Sequence, residues 1–278
     1  MNLLTNIFSK IFINKTIDMR TIILMLSILL ISCNYNTEKK EIKSKNIPIV
    51  ERQEPSNKYI VKTIIYSKDS LPITADIYEV NDKRPTILLC HQAGFSRGEY
   101  KDTALKLMDL GFSCVAIDQR SGLEVNGVLN ETASIAIKRK LPTNYLDARQ
   151  DIEAAIDYIY EMNGNQPVIL VGSSYSATLG LLIGSDSEKV KAVAAFSPGE
   201  YFKGIDVKKL IKNITKPVFV TSSKKETAAL KDLVSNIDSV YLTHFEPEVD
   251  GIHGSRALWE STEGNEVYWK MFSNFLNK

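Results

Sequence analysis

From residue 59 onward, apolar residues come in short, nearly unbroken runs, at 59–66, 71–80, 86–90, 112–117, 167–171, 190–196, 217–222 and 239–245. Runs of that length predict eight strands, and their continuous apolar character predicts that most are buried on both faces. Between the later runs the period changes to 3.6, which predicts helices over 99–110, 144–162, 174–183, 227–236 and 268–276. Gly111, Gly164 and Gly184 stand where the first three should stop. In the helix from Asn144, the residues Leu146, Ile152, Ala155, Ile156 and Ile159 fall largely on one face and are expected in the core. Two strands joined as a hairpin, followed by repeated strand-helix units, predict an α/β fold with an eight-stranded, mostly parallel sheet and helices on both faces. Reactive residues of such a sheet collect at the carboxyl ends of its strands.

The first 58 residues follow another pattern. A positive Arg20, an apolar stretch over 21–31 and then Cys33 read as a secretion signal, with Met19 as an alternative start. The stretch is shorter than the roughly 20 residues that a spanning helix needs. Leu30-Ile31-Ser32-Cys33 resembles the lipobox of bacterial lipoproteins. That resemblance implies that Cys33 is acylated and becomes the mature N-terminus, anchoring the chain to a membrane of the bacterial cell envelope, on its periplasmic or outer surface. Residues 34–58 are polar, mixed in charge and without an apolar period, so they are expected to be a flexible linker. Residues 59–278 suit one folded domain with a sizeable core.

Composition removes several classes of function. With 34 basic and 33 acidic residues the formal charge is +1, which offers no electrostatic case for a nucleic-acid partner. Of three cysteines, Cys90 and Cys114 lie in apolar runs and are expected to be buried free thiols. No pair of cysteine or histidine residues has zinc spacing and no glycine-rich phosphate loop is present, so neither a metal nor another cofactor is expected. Trp259 and Trp269 are expected to pack the closing helices.

The candidate chemistry centres on Gly172-Ser173-Ser174-Tyr175-Ser176, where an apolar run enters a small-x-Ser-x-small turn and a helical pattern leaves it. Such an elbow lifts a serine hydroxyl above the sheet, which makes Ser174 the candidate nucleophile, although Ser176 stands where glycine is usual. A serine needs a base, and the base needs an acceptor to fix its tautomer. His253, in a glycine-flanked loop after the last run, is the candidate base; His244, inside that run, is read as structural. Glu226, at a turn after the run 217–222, is the candidate acid, with Glu200 and Asp250 as competitors. The negative oxygen of a tetrahedral intermediate needs donors, and the amides of Tyr175 and Ala93 are best placed to supply them. Ala93 lies in His91-Gln92-Ala93-Gly94, where His91 and Gln92 are expected to support the loop, His91 by hydrogen bonding rather than by proton transfer. Tyr175 and Phe95 are candidate pocket walls.

Ile87-Leu88-Leu89-Cys90-His91-Gln92-Ala93-Gly94, Ala116-Ile117-Asp118-Gln119-Arg120-Ser121-Gly122, the Ser174 elbow and His253-Gly254 together resemble the α/β-hydrolase superfamily in its dienelactone-hydrolase-like branch. The resemblance implies a cofactor-free Ser-His-acid hydrolase, carboxylesterase-like, that takes a small-molecule ester or acyl substrate. Dienelactone hydrolases carry cysteine where this chain has Ser174, so a lactone substrate is not implied, and Glu226 stands in for the commoner aspartate. A peptidase or acyltransferase with the same triad, and a non-catalytic envelope lipoprotein that uses the fold as a binding module, are the alternatives. Residues 197–216 leave no room for a large lid domain, so an open site is expected, while 119–143 is long enough to fold over the carboxyl edge.

Overall fold

A strand that is apolar on both faces is satisfied only when paired strands flank it and helices cover it above and below. The computed structural model, which describes residues 59–80 and 83–278, meets that condition through most of the sheet. The expected signal sequence, Cys33 and the 34–58 linker lie outside the described residues. The strands are β1 (Tyr59–Tyr66), β2 (Pro72–Glu79), β3 (Ile87–Cys90), β4 (Cys114–Ile117), a small ribbon of β5 (Glu124–Val125) and β6 (Val128–Leu129), then β7 (Val168–Ser173), β8 (Val190–Phe196), β9 (Val218–Thr221) and β10 (Leu242–Phe245). The helices are α1 (Lys101–Asp109), α2 (Glu131–Lys138), α3 (Arg149–Met162), α4 (Tyr175–Asp186), α5 (Val207–Leu210), α6 (Thr227–Leu233) and α7 (Asn265–Leu276).

Eight strands form one sheet in the order β1-β2-β4-β3-β7-β8-β9-β10, with β5 and β6 apart from it. Within this sheet the pairs β1/β2 and β2/β4 are antiparallel and every other pair is parallel, while β5 and β6 pair antiparallel. This is the eight-stranded, mostly parallel α/β sheet that the apolar runs predict, and its strand order agrees with the fold that the motif resemblance implies. Because side chains alternate across a strand, each run feeds two core layers. Leu88, Cys90, Val115, Ile117 and Leu170 pack against Ile152, Ala155 and Ile156 of α3 on one face. Ile87, Leu89, Ala116, Phe196 and Phe219 pack against Leu107 of α1 and Phe272 of α7 on the other. Cys90 and Cys114 are buried and free, one in each layer.

Two local differences from the sequence reading have physical causes. Leu146 is 42% exposed rather than buried. It belongs to the 3-10 turn Tyr145–Ala148, opened by a capping box between Asn144 and Asp147, and the tighter winding takes it off the stripe that α3 buries. The excursion 119–143 holds β5, β6 and α2, and α2 buries only Thr132, Ala133 and Ala136, side chains too small to leave an apolar signature. Among the described residues no helix is long and apolar enough to cross a membrane.

Candidate active site

The parallel strands β3, β7, β8, β9 and β10 all point the same way, so the loops that leave them meet at one edge. Ser174 stands alone between β7 and α4 with φ 60° and ψ −123°, a conformation that a residue with a side chain adopts only under constraint. Its own N–H donates to the Phe196 carbonyl at 2.8 Å. The turn is so tight that a Cβ on Gly172 would lie 2.5 Å from the Ser176 carbonyl oxygen and 2.6 Å from the Ala177 nitrogen. Ser176 itself is fully buried: its hydroxyl accepts the Ser173 N–H at 3.0 Å and directs its proton toward the Cys90 and His91 carbonyls at 2.7 and 2.8 Å. The serine where glycine is usual therefore ties the elbow to the end of β3.

Ser174 is 7% exposed, and its Oγ lies 2.8 Å from His253 Nε2. His253 Nδ1 is hydrogen bonded to Glu226 Oε1. The other carboxylate oxygen accepts from the Ser223 N–H at 3.1 Å, the Ser223 hydroxyl at 2.7 Å and the Ser197 hydroxyl at 2.9 Å. Burial pushes the Glu226 carboxyl up, but these donors and the His253 imidazole outweigh it and hold the group down at about 2. Ser197 Oγ also accepts the Gly254 N–H at 3.0 Å, so one hydroxyl braces both the acid and the histidine loop. At Gly254, with φ +77°, a Cβ would lie 2.5 Å from Gln92 Oε1 and from Ser173 Oγ. Of the competing acids, Glu200 accepts the Val207 and Lys208 amides at 3.0 Å each and caps α5, while Asp250 is exposed. His244 lies in β10 with its ring 3.8 Å from Glu246.

Tyr175 is the first residue of α4, so its N–H has no carbonyl one turn back. Ala93 lies inside the turn closed by Phe95 N–H to the Gln92 carbonyl at 3.3 Å, with Gly94 at φ 75°. His91, fully buried, shapes this turn. Its Nδ1–H donates to the Gln92 carbonyl at 2.8 Å, and its Nε2 accepts the Gln119 N–H at 3.0 Å. Burial pulls the imidazole down to about 4 against the effect of those backbone bonds, which keeps it neutral at physiological pH. The neighbouring motif closes around the same loop. Asp118 accepts from Arg97 Nη1 at 2.7 Å, Gln119 Oε1 accepts the His91 N–H at 3.1 Å, and Arg120 pairs with Asp151 at 2.8 Å.

Two shallow cavities border Tyr145. One, of about 340 Å³, is lined by Tyr145, Leu146, Tyr201 and Phe202; the other, of about 190 Å³, by Gly94, Ser121, Leu123, Ile137 and Tyr145. The excursion 119–143 thus contributes walls at the carboxyl edge. The Tyr175 ring does not: it is buried, stacked on Tyr145 at 4.6 Å and held by the Ser121 hydroxyl at 2.6 Å, so Tyr145 is the wall and Tyr175 its backing. Phe95 stacks on Trp259 at 6.4 Å. A hollow of about 570 Å³ between Val80, Ser113, Met162 and Gln166 lies at the amino ends of the strands, away from Ser174. Among the described residues no group of three His, Cys, Asp or Glu could hold a metal ion.

Ser197 and Tyr201 were not foreseen from the sequence. Ser197, at φ 53° after β8, sits in an ordinary-looking Ser-Pro-Gly, and Tyr201 donates its hydroxyl to the Ser197 carbonyl at 2.8 Å, close to Ser174. Neither stands out from its neighbours in composition or period.

The solved structures to which the chain is similar share its fold at low identity. An esterase from Pyrococcus furiosus matches with a TM-score of 0.64 and 14% identity, over 79% of this chain and 92% of that one. A dienelactone hydrolase from Anabaena variabilis matches with a TM-score of 0.62 and 14% identity, over 79% and 97%. An acylaminoacyl peptidase from Pyrococcus horikoshii matches with a TM-score of 0.56 and 14% identity, over 81% of this chain but only 42% of that one. No curated protein matches the sequence. The family model described as serine aminopeptidase, S33, matches residues 81–274, most of the chain and every element that converges on Ser174, and the protein accordingly belongs to this family of α/β-hydrolases.

Proposed function

We propose that the protein is a serine esterase that cleaves small carboxylic esters through an acyl-enzyme. The observation that carries this reading is the hydrogen-bonded relay from Ser174 Oγ through both ring nitrogens of His253 to Glu226, at the tip of a strained elbow. In the proposed reaction His253 Nε2 takes the Ser174 proton as Oγ attacks the acyl carbon. The developing oxyanion is met by the amides of Ala93 and Tyr175. His253 returns the proton to the leaving alcohol as the ester C–O bond breaks. Water, deprotonated by the same imidazole, then releases the acid and restores Ser174. Glu226 holds His253 in the tautomer that presents Nε2 to the serine and stabilises the imidazolium that forms. The esterase and dienelactone hydrolase folds above support the choice of an ester, and the shallow cavities beside Tyr145 support a small one.

The family description and the acylaminoacyl peptidase support a second reading, cleavage of an aminoacyl amide by the same residues. The test is fluorophosphonate labelling of the full chain and of its Ser174→Ala and His253→Ala variants, followed by turnover of p-nitrophenyl esters and aminoacyl anilides. Labelling at Ser174 that requires His253, with ester turnover, is the expected result. Anilide turnover alone would favour the peptidase, and a folded protein that takes no label would point to a binding module. We also propose that acylation at Cys33 anchors the protein to the cell envelope, supported by the lipobox resemblance. Labelled palmitate incorporated by the wild type and equally by Cys33→Ser would overturn the anchor.

A further inference from the structure

The Glu99 carboxyl takes no part in the relay, yet it is bonded next to each piece of the machinery. Glu99 lies in the 3-10 turn Arg97–Tyr100 that follows the oxyanion loop, and it is 1% exposed. Its Oε2 accepts the Gln92 N–H at 2.7 Å, one residue before Ala93. Its Oε1 accepts the Ser255 hydroxyl at 2.6 Å, two residues after His253. The hydroxyl of Ser173, the residue before Ser174, lies within hydrogen-bond reach of the same carboxyl and accepts the Ser255 N–H at 2.8 Å. On its other side, the Glu99 carbonyl accepts Trp259 Nε1–H at 2.8 Å.

A carboxyl taken out of water costs free energy unless donors meet its oxygens, and an apolar residue would fill the same space without that cost. Here the donors come from three places otherwise separate in sequence, the loop after β3, the last residue of β7 and the loop after β10. We propose that Glu99 is a positioning residue that locks the oxyanion loop, the nucleophile elbow and the histidine loop into one unit. The role rests on the serine-hydrolase reading above. A tetrahedral intermediate needs the Ala93 amide, Ser174 Oγ and His253 Nε2 around a single carbon at the same moment. A shared acceptor one or two residues from each makes the three move together.

The test compares Glu99→Gln, Ser255→Ala and the double variant of the full chain by steady-state ester kinetics, by fluorophosphonate labelling rate and by thermal melting. Since a misplacement of about 1 Å can cost on the order of 100-fold, Glu99→Gln is expected to lower kcat roughly tenfold or more with KM nearly unchanged. The labelling rate falls with kcat, while the melting temperature moves little. The double variant falls no further than Glu99→Gln alone, because Ser255 acts through the carboxyl. Unchanged kcat in a folded Glu99→Gln, or losses that multiply in the double variant, overturn the proposal. Should Glu99→Gln not fold, Ser173→Ala and Ser255→Ala decide, since each removes one donor and keeps the carboxyl; full kcat in both overturns it. Wild-type labelling separates the two levels. A folded wild type that takes no label refutes the hydrolase reading, whereas labelling at a rate that Glu99→Gln leaves unchanged refutes only the positioning role.

Discussion

His91 and His253 both follow strands of the parallel sheet at its carboxyl edge, and both use their two ring nitrogens, yet their surroundings differ in kind. His91 is fully buried and bonded to backbone groups, the Gln92 carbonyl and the Gln119 amide, which fixes one tautomer and favours the neutral ring. His253 is 34% exposed and bonded to a hydroxyl and a carboxylate, partners that can give up and balance a proton. Position on the sheet therefore does not distinguish the two histidines; the chemistry of their partners does, and it supports His253 as the proposed base and His91 as the proposed support.

The strongest way to break this contrast is to exchange the losses. His253→Ala and Ser174→Ala are each expected to reduce kcat on the order of 10⁴- to 10⁶-fold while the protein stays folded. A single variant that retained most turnover would remove the contrast altogether. Glu226→Gln should come next, on the order of 10⁴-fold in kcat, because the amide can hold His253 in the wrong tautomer and no longer balances the imidazolium. The readout is kcat with a p-nitrophenyl ester against far-ultraviolet circular dichroism.

His91→Gln should fail differently, through stability. Leaving buried backbone groups such as the Gln119 N–H or the Gln92 carbonyl without a partner costs about 1–3 kcal/mol, so the melting temperature should drop while Ser174 still takes label. The pH dependence sharpens the point. The folded His91 lies at about 4, below its ordinary 6.5, so its contribution is complete above 6.5 and is lost as pH falls toward 4, where the unfolded chain binds the proton and the native ring does not. Melting curves between pH 7 and 4 should therefore fall more steeply for the wild type than for His91→Gln; equal slopes would mean that burial does not lower the His91 imidazole. The smallest effect is expected from Ser176→Ala, about 1 kcal/mol from one hydroxyl that joins the elbow to the Cys90 and His91 carbonyls, read from a denaturant midpoint.

The sheet was legible because parallel strands must be apolar on both faces, and the runs around Leu88, Leu170 and Val193 carry that demand openly. The order in which β4 pairs outside β3 was not, since pairing depends on crossovers that leave no local mark. In the site, Ser174 and His253 could be named because small residues flank them and constrain the backbone. Among three nominated acids, only Glu226 lies against His253, which needed the path of the loop after β9. Ser197 and Glu99 could not be found at all. A polar residue that becomes important only by where its neighbours fold has nothing in its own vicinity to announce it.

The backbone of Ser174 carries one more consequence. Holding a residue with a side chain at φ 60° costs on the order of 1–3 kcal/mol, and glycine would relax it. Folding alone would thus reward the substitution that removes the hydroxyl proposed as the nucleophile. With Ser174 as the proposed nucleophile, durability and reactivity are rival outcomes at this single residue.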